Sequence, residues 1–413
     1  MKKNTLFLLC LLILVACRSA VSIHSDDIVD IYGQVAFCGK KNGDMRYDIY
    51  LLDLPSREIK NLTGEYVNKI DNAFGHSIGC DTNLIPYKIT GLEWSPLGDL
   101  LILNAGGPYL TIPYVMNISP AGKVLDIVQQ WSRSPLSISP FERPEEFSWS
   151  PNGDKVAFVG VNTPEGYQNL FVGNVNNWKN GSVPFEIVQS THVEIDWPGI
   201  IYSPKWSPDG KNIAVTINRH SSGVAIISAD GKTSVFVTNE NHSQLSEIEN
   251  PTNPWINATP SWFPDGKSLI FVAATSNKSR TALFSVTADG TNLKLLVPDG
   301  VQSPVVSPNG NHIAYIEYSR KYDPFLIGRI IRVDANGENR TILATIKKDT
   351  FTPFYKYYIR DLSWSPDGSF LIFVTNQNNQ FQLYMVSNDG QQVSRVTSFS
   401  GDAVNPKWRP NHP

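Results

Sequence analysis

The chain has 413 residues, a formal net charge of −3, a pI near 6.2 and only 18% charged residues. This balance sets up no basic field and no Lys/Arg run occurs, so the sequence points away from nucleic acid as a partner. Beyond the first sixteen residues, no apolar stretch is long enough to cross a membrane.

The chain starts with the basic segment Met1-Lys2-Lys3-Asn4, followed by an apolar run from Leu6 to Ala16. That run is too short for a spanning helix, which takes about 20 residues, and it fits a secretory signal over residues 1–16. It ends in Leu14-Val15-Ala16-Cys17. This resembles a bacterial lipobox, in which small residues precede a cysteine that is lipidated and becomes the new N-terminus. An ordinary cleaved signal with an incidental cysteine is the alternative. Several lipid chains on Cys17 would anchor the protein to a membrane stably, with residues 17–32 as a flexible tether. Arg18 follows the cysteine. By resemblance to Gram-negative sorting, the lack of Asp there favours the outer membrane; in a one-membrane organism the outer leaflet takes its place.

Past the tether, Val35-Ala36-Phe37, Asp48–Asp53 and Glu58–Thr63 have the look of the last three strands of a four-stranded meander that lacks its first strand. Cys38 sits at a strand end in this stretch and Cys80 lies in the insertion that follows. In an exported, oxidising compartment the two are candidates for a disulfide, worth roughly 4 kcal/mol on the chain-entropy model. Two separate thiols are the alternative, and no His or carboxylate beside them has metal-ligand spacing. Gly75-His76-Ser77-Ile78-Gly79 matches G-x-S-x-G. Neither flank offers the strand–turn–helix context that a nucleophile elbow needs, so a glycine-rich loop is the better reading.

From residue 94 onward one motif recurs. Trp206-Ser207-Pro208-Asp209-Gly210 and Trp364-Ser365-Pro366-Asp367-Gly368 are its clean copies. Trp94–Gly98, Trp149–Gly153 and Trp262–Gly266 each differ at one position; Val306–Gly310 lacks the Trp, and Trp408-Arg409-Pro410-Asn411 has drifted further. Pro sets φ and Asp-Gly supplies the left-handed residue of a tight hairpin, so two strands meet at each copy. A second Asp-Gly or Asn-Gly turn, as at Asp230-Gly231, Asp289-Gly290, Asn336-Gly337 and Asp389-Gly390, joins two more. Strands such as Val156–Val159, Leu269–Val272 and Leu371–Val374 are rich in Val, Ile and Phe without helical period. A four-stranded unit repeated at this spacing predicts an all-β β-propeller of seven blades. The first blade would be completed by Asn405–Trp408, which removes the open edge. An open solenoid is the alternative.

These repeats look like the propeller repeats of TolB-type periplasmic proteins, which occur also in prolyl-oligopeptidase-type peptidases. The resemblance covers residues 33–411 and implies one propeller domain. By the same resemblance the disc docks protein partners of the cell envelope. The chain departs from that family in two ways: no α/β domain precedes the repeats, and seven blades are counted rather than six.

Connectivity tells the two faces of the disc apart. Both kinds of short turn share one face. The second-to-third connections and the links between blades share the other, including the long stretches 129–146, 190–203, 239–258 and 346–360, where binding is expected. The candidates there are Trp131, Arg133, Arg143, His192, Asp196, Trp197, Arg219, His220, Trp255, Arg320, Tyr322, Tyr355, Tyr357, Tyr358 and Arg360. Tyr, Trp and Arg dominate protein interfaces, and aromatic rings also stack on sugars. The recurring motif Trp residues are expected to be structural, wedged between blades. No catalytic residues, metal ligands or cofactor motif are assigned: the seven His are scattered, and there is no P-loop or dinucleotide fingerprint. The expected function is a lipid-anchored interaction module, with a carbohydrate or peptide receptor as the alternative. A propeller enzyme, drawing on residues such as His192, Asp196, Arg219 and His220, ranks last.

Overall fold

The computed structural model describes residues 32–44, 47–54, 56–66, 92–107, 110–129, 142–161, 168–175, 185–186, 200–218, 223–237, 260–274, 281–318, 326–348, 359–376 and 380–410. They form seven four-stranded antiparallel sheets. Six are meanders in chain order. Blade 2 is Leu92–Trp94, Leu100–Gly107, Leu110–Ile118 and Val124–Gln129; blade 3 is Glu142–Trp149, Lys155–Val161, Gln168–Asn174 and Phe185–Glu186. Blade 4 is Ile200–Trp206, Asn212–Asn218, Gly223–Ser228 and Ser234–Phe236; blade 5 is Ser261–Trp262, Ser268–Ala274, Thr281–Thr287 and Lys294–Val297. Blade 6 is Gln302–Val306, His312–Tyr318, Leu326–Asp334 and Thr341–Lys348; blade 7 is Ile359–Trp364, Phe370–Thr375, Gln382–Ser387 and Val393–Arg395. Blade 1 takes its first strand, Gly401–Trp408, from the C-terminal end and the rest, Gly33–Lys41, Asp48–Leu54 and Ile59–Asn61, from the N-terminal part. The fold is the all-β, seven-bladed propeller that the motif count predicts.

The repeated turns, apart from that of blade 5 where Phe263 replaces the serine, work through a small polar network. In blade 4, Ser207 Oγ donates to Asp209 Oδ1 (2.6 Å), which also accepts from Lys211 N (3.1 Å), while Asn212 N donates back to Ser207 Oγ (2.9 Å). Gly210 closes the turn at φ 72°, a left-handed conformation in which any side chain is strained. Blades 2 and 3 have Leu97 and Asn152 where the Asp belongs. A carboxylate two residues later takes over: Ser95 Oγ donates to Asp99 Oδ1 (2.7 Å) and Ser150 Oγ to Asp154 Oδ1 (2.9 Å). The network therefore survives motif drift.

The core lies between blades. In blades 1, 3, 5 and 7 the second and third strands place two rings directly opposite each other: Phe37 and Tyr50, Phe158 and Phe171, Phe271 and Phe284, Phe373 and Tyr384. Their centroids stack at 5.5, 5.4, 5.7 and 5.8 Å. The equivalent pairs in blades 2, 4 and 6 are Leu103–Tyr114, Val215–Ala225 and Tyr315–Ile331. Each buried ring contributes roughly 1.5–3 kcal/mol, with about 0.5–1.5 kcal/mol more for the pairing.

The motif Trp residues fasten neighbouring blades. Five of the six motif indoles reach the carbonyl of the residue just before the motif position in the preceding blade. Trp94 Nε1 donates to Lys407 O (3.1 Å), Trp149 to Glu93 O (3.5 Å), Trp262 to Lys205 O (2.9 Å), Trp364 to Val305 O (3.3 Å) and Trp408 to Ser363 O (3.3 Å). Between blades 3 and 4 the bond is made differently, from the backbone N of Trp206 to Ser148 Oγ (3.0 Å). These links join six of the seven neighbouring pairs, including both sides of blade 1, and Val306 N donates to Ser261 Oγ (3.5 Å) between blades 5 and 6; this is how the two ends of the chain close the ring.

Two sequence expectations change here. Cys38 does not end a strand: it lies inside Gly33–Lys41, fully buried, opposite Val404 of the C-terminal strand. Arg143 and Arg360, expected in loops, lie in the first strands Glu142–Trp149 and Ile359–Trp364. The prolines in comparable segments (Pro204, Pro304 and Pro406) suggest strand breaks. A first strand is the inner edge of its sheet, however, and a bulge there accommodates proline without a lost ladder bond.

Candidate functional site

The first strands of successive blades lie against one another around the axis, with Gly401–Trp408 touching both Ile359–Trp364 and Leu92–Trp94. What they turn toward the axis is set by a bulge three residues before the motif Trp. The register slips there in blades 4, 6, 7 and 1. The bulged residues Ser203, Ser303, Asp361 and Asn405 all have positive φ, at 49°, 47°, 57° and 52°. Repetition at one position of four blades marks the bulge as a device of the fold.

Charged groups meet at two levels of this axis. At the lower level, Lys407 Nζ pairs with Glu93 Oε2 at 2.9 Å, and Lys205, two blades from Glu93, adds to its field. Burial opposes ionisation of Glu93, but the two ammonium groups outweigh it and hold the carboxyl below the usual glutamate range. Its side chain nevertheless keeps 30% of its accessible surface, as expected of a group lining an axial channel. Nearer the long-connection face, Asp361 Oδ2 accepts from Asn405 N (3.1 Å) and lies 3.5 Å from Arg360 Nε. The Arg360 guanidinium stacks 4.3 Å above the Phe381 ring. Arg360, largely buried, is thus held in one orientation at the start of the first strand of blade 7.

Of the sequence-predicted binding residues, Arg360 is the one whose side chain is described. Arg143 is placed by its backbone in blade 3. Trp131, Arg133, His192, Asp196, Trp197, Arg219, His220, Trp255, Arg320, Tyr322, Tyr355, Tyr357 and Tyr358 lie outside the described residues, as do Cys17, Cys80 and the Gly75–Gly79 loop. Cys38 is disulfide-bonded. Glu93, Lys205, Lys407, Asp361 and Asn405 were not anticipated. Their signal is positional: they stand one and three residues before the motif Trp. Among the described residues no three His, Cys, Asp or Glu side chains gather as a metal site, and no helix is long and apolar enough to cross a membrane.

With the fold and axis in place, the comparison with known families is direct: the TolB beta propeller domain matches residues 148–412. The chain belongs to the TolB β-propeller family. This TolB-family chain is 21% identical over 187 residues to dipeptidyl-peptidase 5 of Porphyromonas gingivalis, a stretch that is 42% of the chain and 26% of the enzyme. The match thus spans about a quarter of that curated relative. Among solved structures it is similar to oligogalacturonate lyase from Vibrio parahaemolyticus, at TM-score 0.59 and 11% identity over 89% of this chain and 98% of that one. It is similar also to TolB from Acinetobacter baumannii, at TM-score 0.45 and 16% identity over 91% and 82%. At these identities the likenesses establish the fold alone.

The TolB-type turns carry a pH dependence. The Ser228 hydroxyl, with Lys232, lowers Asp230 to about 2, and the Thr287 hydroxyl with the Thr291 N–H does the same for Asp289. Asp209, Asp367 and Asp389 are also lowered. A folded-state value below the unfolded one means that protonation favours the unfolded chain. The stabilisation is complete above about pH 4–5 and is lost as pH falls toward 2. Urea midpoints should therefore be flat from pH 5 to 8 and fall below pH 4, with a shallower fall in an Asp230→Asn, Asp289→Asn variant. An unchanged slope in that variant would remove the turns as the cause.

Proposed function

We propose that the protein is a lipid-anchored docking module of the cell envelope, exported behind residues 1–16, held by Cys17 and binding a protein partner through the long-connection face. The observation that carries this reading is a closed seven-bladed ring in which Arg360, at the start of the first strand of blade 7, is pre-oriented by Phe381 and Asp361. A fixed guanidinium loses little entropy on pairing with a partner's carboxylate, which suits a docking face. A Cys38–Cys80 disulfide would tie blade 1 to the insertion that leads into blade 2. Membership of the TolB family supports envelope placement and interaction as the general role.

The second reading is a saccharide- or peptide-binding disc, with a propeller enzyme behind it. The likeness to the Vibrio parahaemolyticus lyase over nearly all of that chain favours it. Proximity crosslinking in intact envelope, read by mass spectrometry, separates the two. A discrete protein captured through residues 190–203 or 346–360 is the expected result. Capture spread over both faces, or none, together with saturable glycan binding by the isolated propeller, would overturn it.

A further inference from the structure

Strand polarity fixes where the chain enters the disc. The first strand of blade 1, Gly401–Trp408, ends at the motif position, where five of the other blades make their short Ser-Pro turn and blade 5 a Phe-Pro turn. Arg409 marks the same level, since its Nε donates to Gly98 O in the short turn of blade 2 (2.6 Å). Gly33–Lys41 runs antiparallel to that strand, with Val35 opposite Trp408 and Lys41 opposite Gly401. Gly33 therefore lies beside Trp408, and the exposed Tyr32 leaves from the short-turn face. At the other end of the same strand the chain emerges on the opposite face. There Asn42 N donates to Ser400 O (2.8 Å) in the link from blade 7 to blade 1, and Gln380 Nε2 donates to Asn42 Oδ1 (3.2 Å).

We infer that the anchored disc turns its short-turn face toward the membrane and presents its long-connection face outward, to a protein partner lying outside the anchoring bilayer. This rests on the proposed lipidation of Cys17. A stretch of this length, from Cys17 to Tyr32, could reach at most about 50 Å fully extended, and would span about 20 Å on average if it behaves as an unstructured chain. Strands of seven or eight residues make the disc about 25 Å thick. To invert it, the tether would have to pass two outer strands, about 10 Å, and then climb the whole rim. That is well beyond its average span, so the inverted disc is entropically disfavoured. The end of the blade 7 first strand that carries Arg360 then lies away from the bilayer by the thickness of the disc. A partner embedded in the same leaflet would meet the short turns and not the long connections.

The test uses the full lipidated protein in phosphatidylethanolamine/phosphatidylglycerol vesicles carrying a headgroup quencher. A fluorophore is attached to Lys232→Cys, in a short turn, or to Asn42→Cys, on the opposite face. Flotation and the mass of the mature N-terminal peptide report anchoring independently. The expected result is several-fold stronger quenching at position 232 than at 42. Inserting about 30 Gly/Ser residues after Tyr32 should shrink the difference, because the longer chain can pass the rim. Equal or reversed quenching in a protein that floats would overturn the orientation while leaving the anchor intact. Failure to float, with Cys17 unmodified, would overturn the anchor and the orientation with it.

Discussion

Deleting residues 401–413 is expected to abolish the folded propeller. The lost strand supplies the inner edge of blade 1 and buries Ala403, Val404 and Trp408. It pairs along Gly33–Lys41 and bonds to both neighbours, through the Trp94 indole to Lys407 O and the Trp408 indole to Ser363 O. Its removal opens the ring and exposes core on both sides of blade 1, where Phe37, Tyr50 and Phe399 pack as an aromatic cluster. Losses of roughly 1.5–3 kcal/mol for each large buried side chain sum past the about 5–15 kcal/mol that a domain commands. The expected outcome is no cooperative transition in urea and rapid proteolysis. A circular permutant gives the complementary result. Arg409 N already donates to Gln34 O (2.8 Å), so Arg409 can be kept and joined to Gln34 through a Pro-Asp-Gly-Lys turn, with the chain opened in the 239–258 connection. That protein should fold with near-parental stability. A stable deletion variant, or an unfolded permutant, would show that closure does not hold the ring.

Arg409→Met is expected to cost about 3 kcal/mol or more, because it strands buried acceptors on two blades. The guanidinium is buried and donates to Gly98 O (2.6 Å), Ile118 O (2.9 Å), Ser119 O (2.9 Å) and Gln34 Oε1 (2.7 Å), and its plane lies 5.0 Å from the Trp94 ring. Burial works against its charge, with the Asp99 carboxylate offsetting part of that cost. Arg409→Lys should recover little, since one ammonium cannot span acceptors arranged for a planar fork. Urea titration of the three proteins decides the point. A lysine variant as stable as the parent would mean that charge alone suffices. At this position the motif has Ser in most blades. Blade 1 has no hairpin for a serine to brace, because its first two strands come from opposite ends of the chain.

That substitution shows where sequence reading succeeded and where it stopped. Trp-Ser-Pro-Asp-Gly is a local instruction: Pro, Asp and Gly each act on their own turn, so the hairpins, the meander and the seven-blade count follow from residues adjacent in the chain. The stitched first blade was also legible, because Asn405–Trp408 is a first strand without a second and Val35–Phe37 a second without a first. The drift of Trp408-Arg409-Pro410-Asn411 looked like decay and is instead the closing joint, whose acceptors on blade 2 lie some three hundred residues away in sequence.

By itself, then, the sequence determined the repeat, the closure and the strand order that sets the short turns apart from the other connections. Only the tertiary structure decided that Glu93, Lys205 and Lys407 meet on one axis, that bulges at Ser203, Ser303 and Asn405 carry three first strands past their prolines, and that Arg360 is a strand residue stacked on Phe381. It also decided that Tyr32 emerges on the short-turn face. Turn and strand patterns are written in neighbouring residues. Which side chains share an axis depends on the closing of the ring, and that is settled by contacts between blades that no local pattern records.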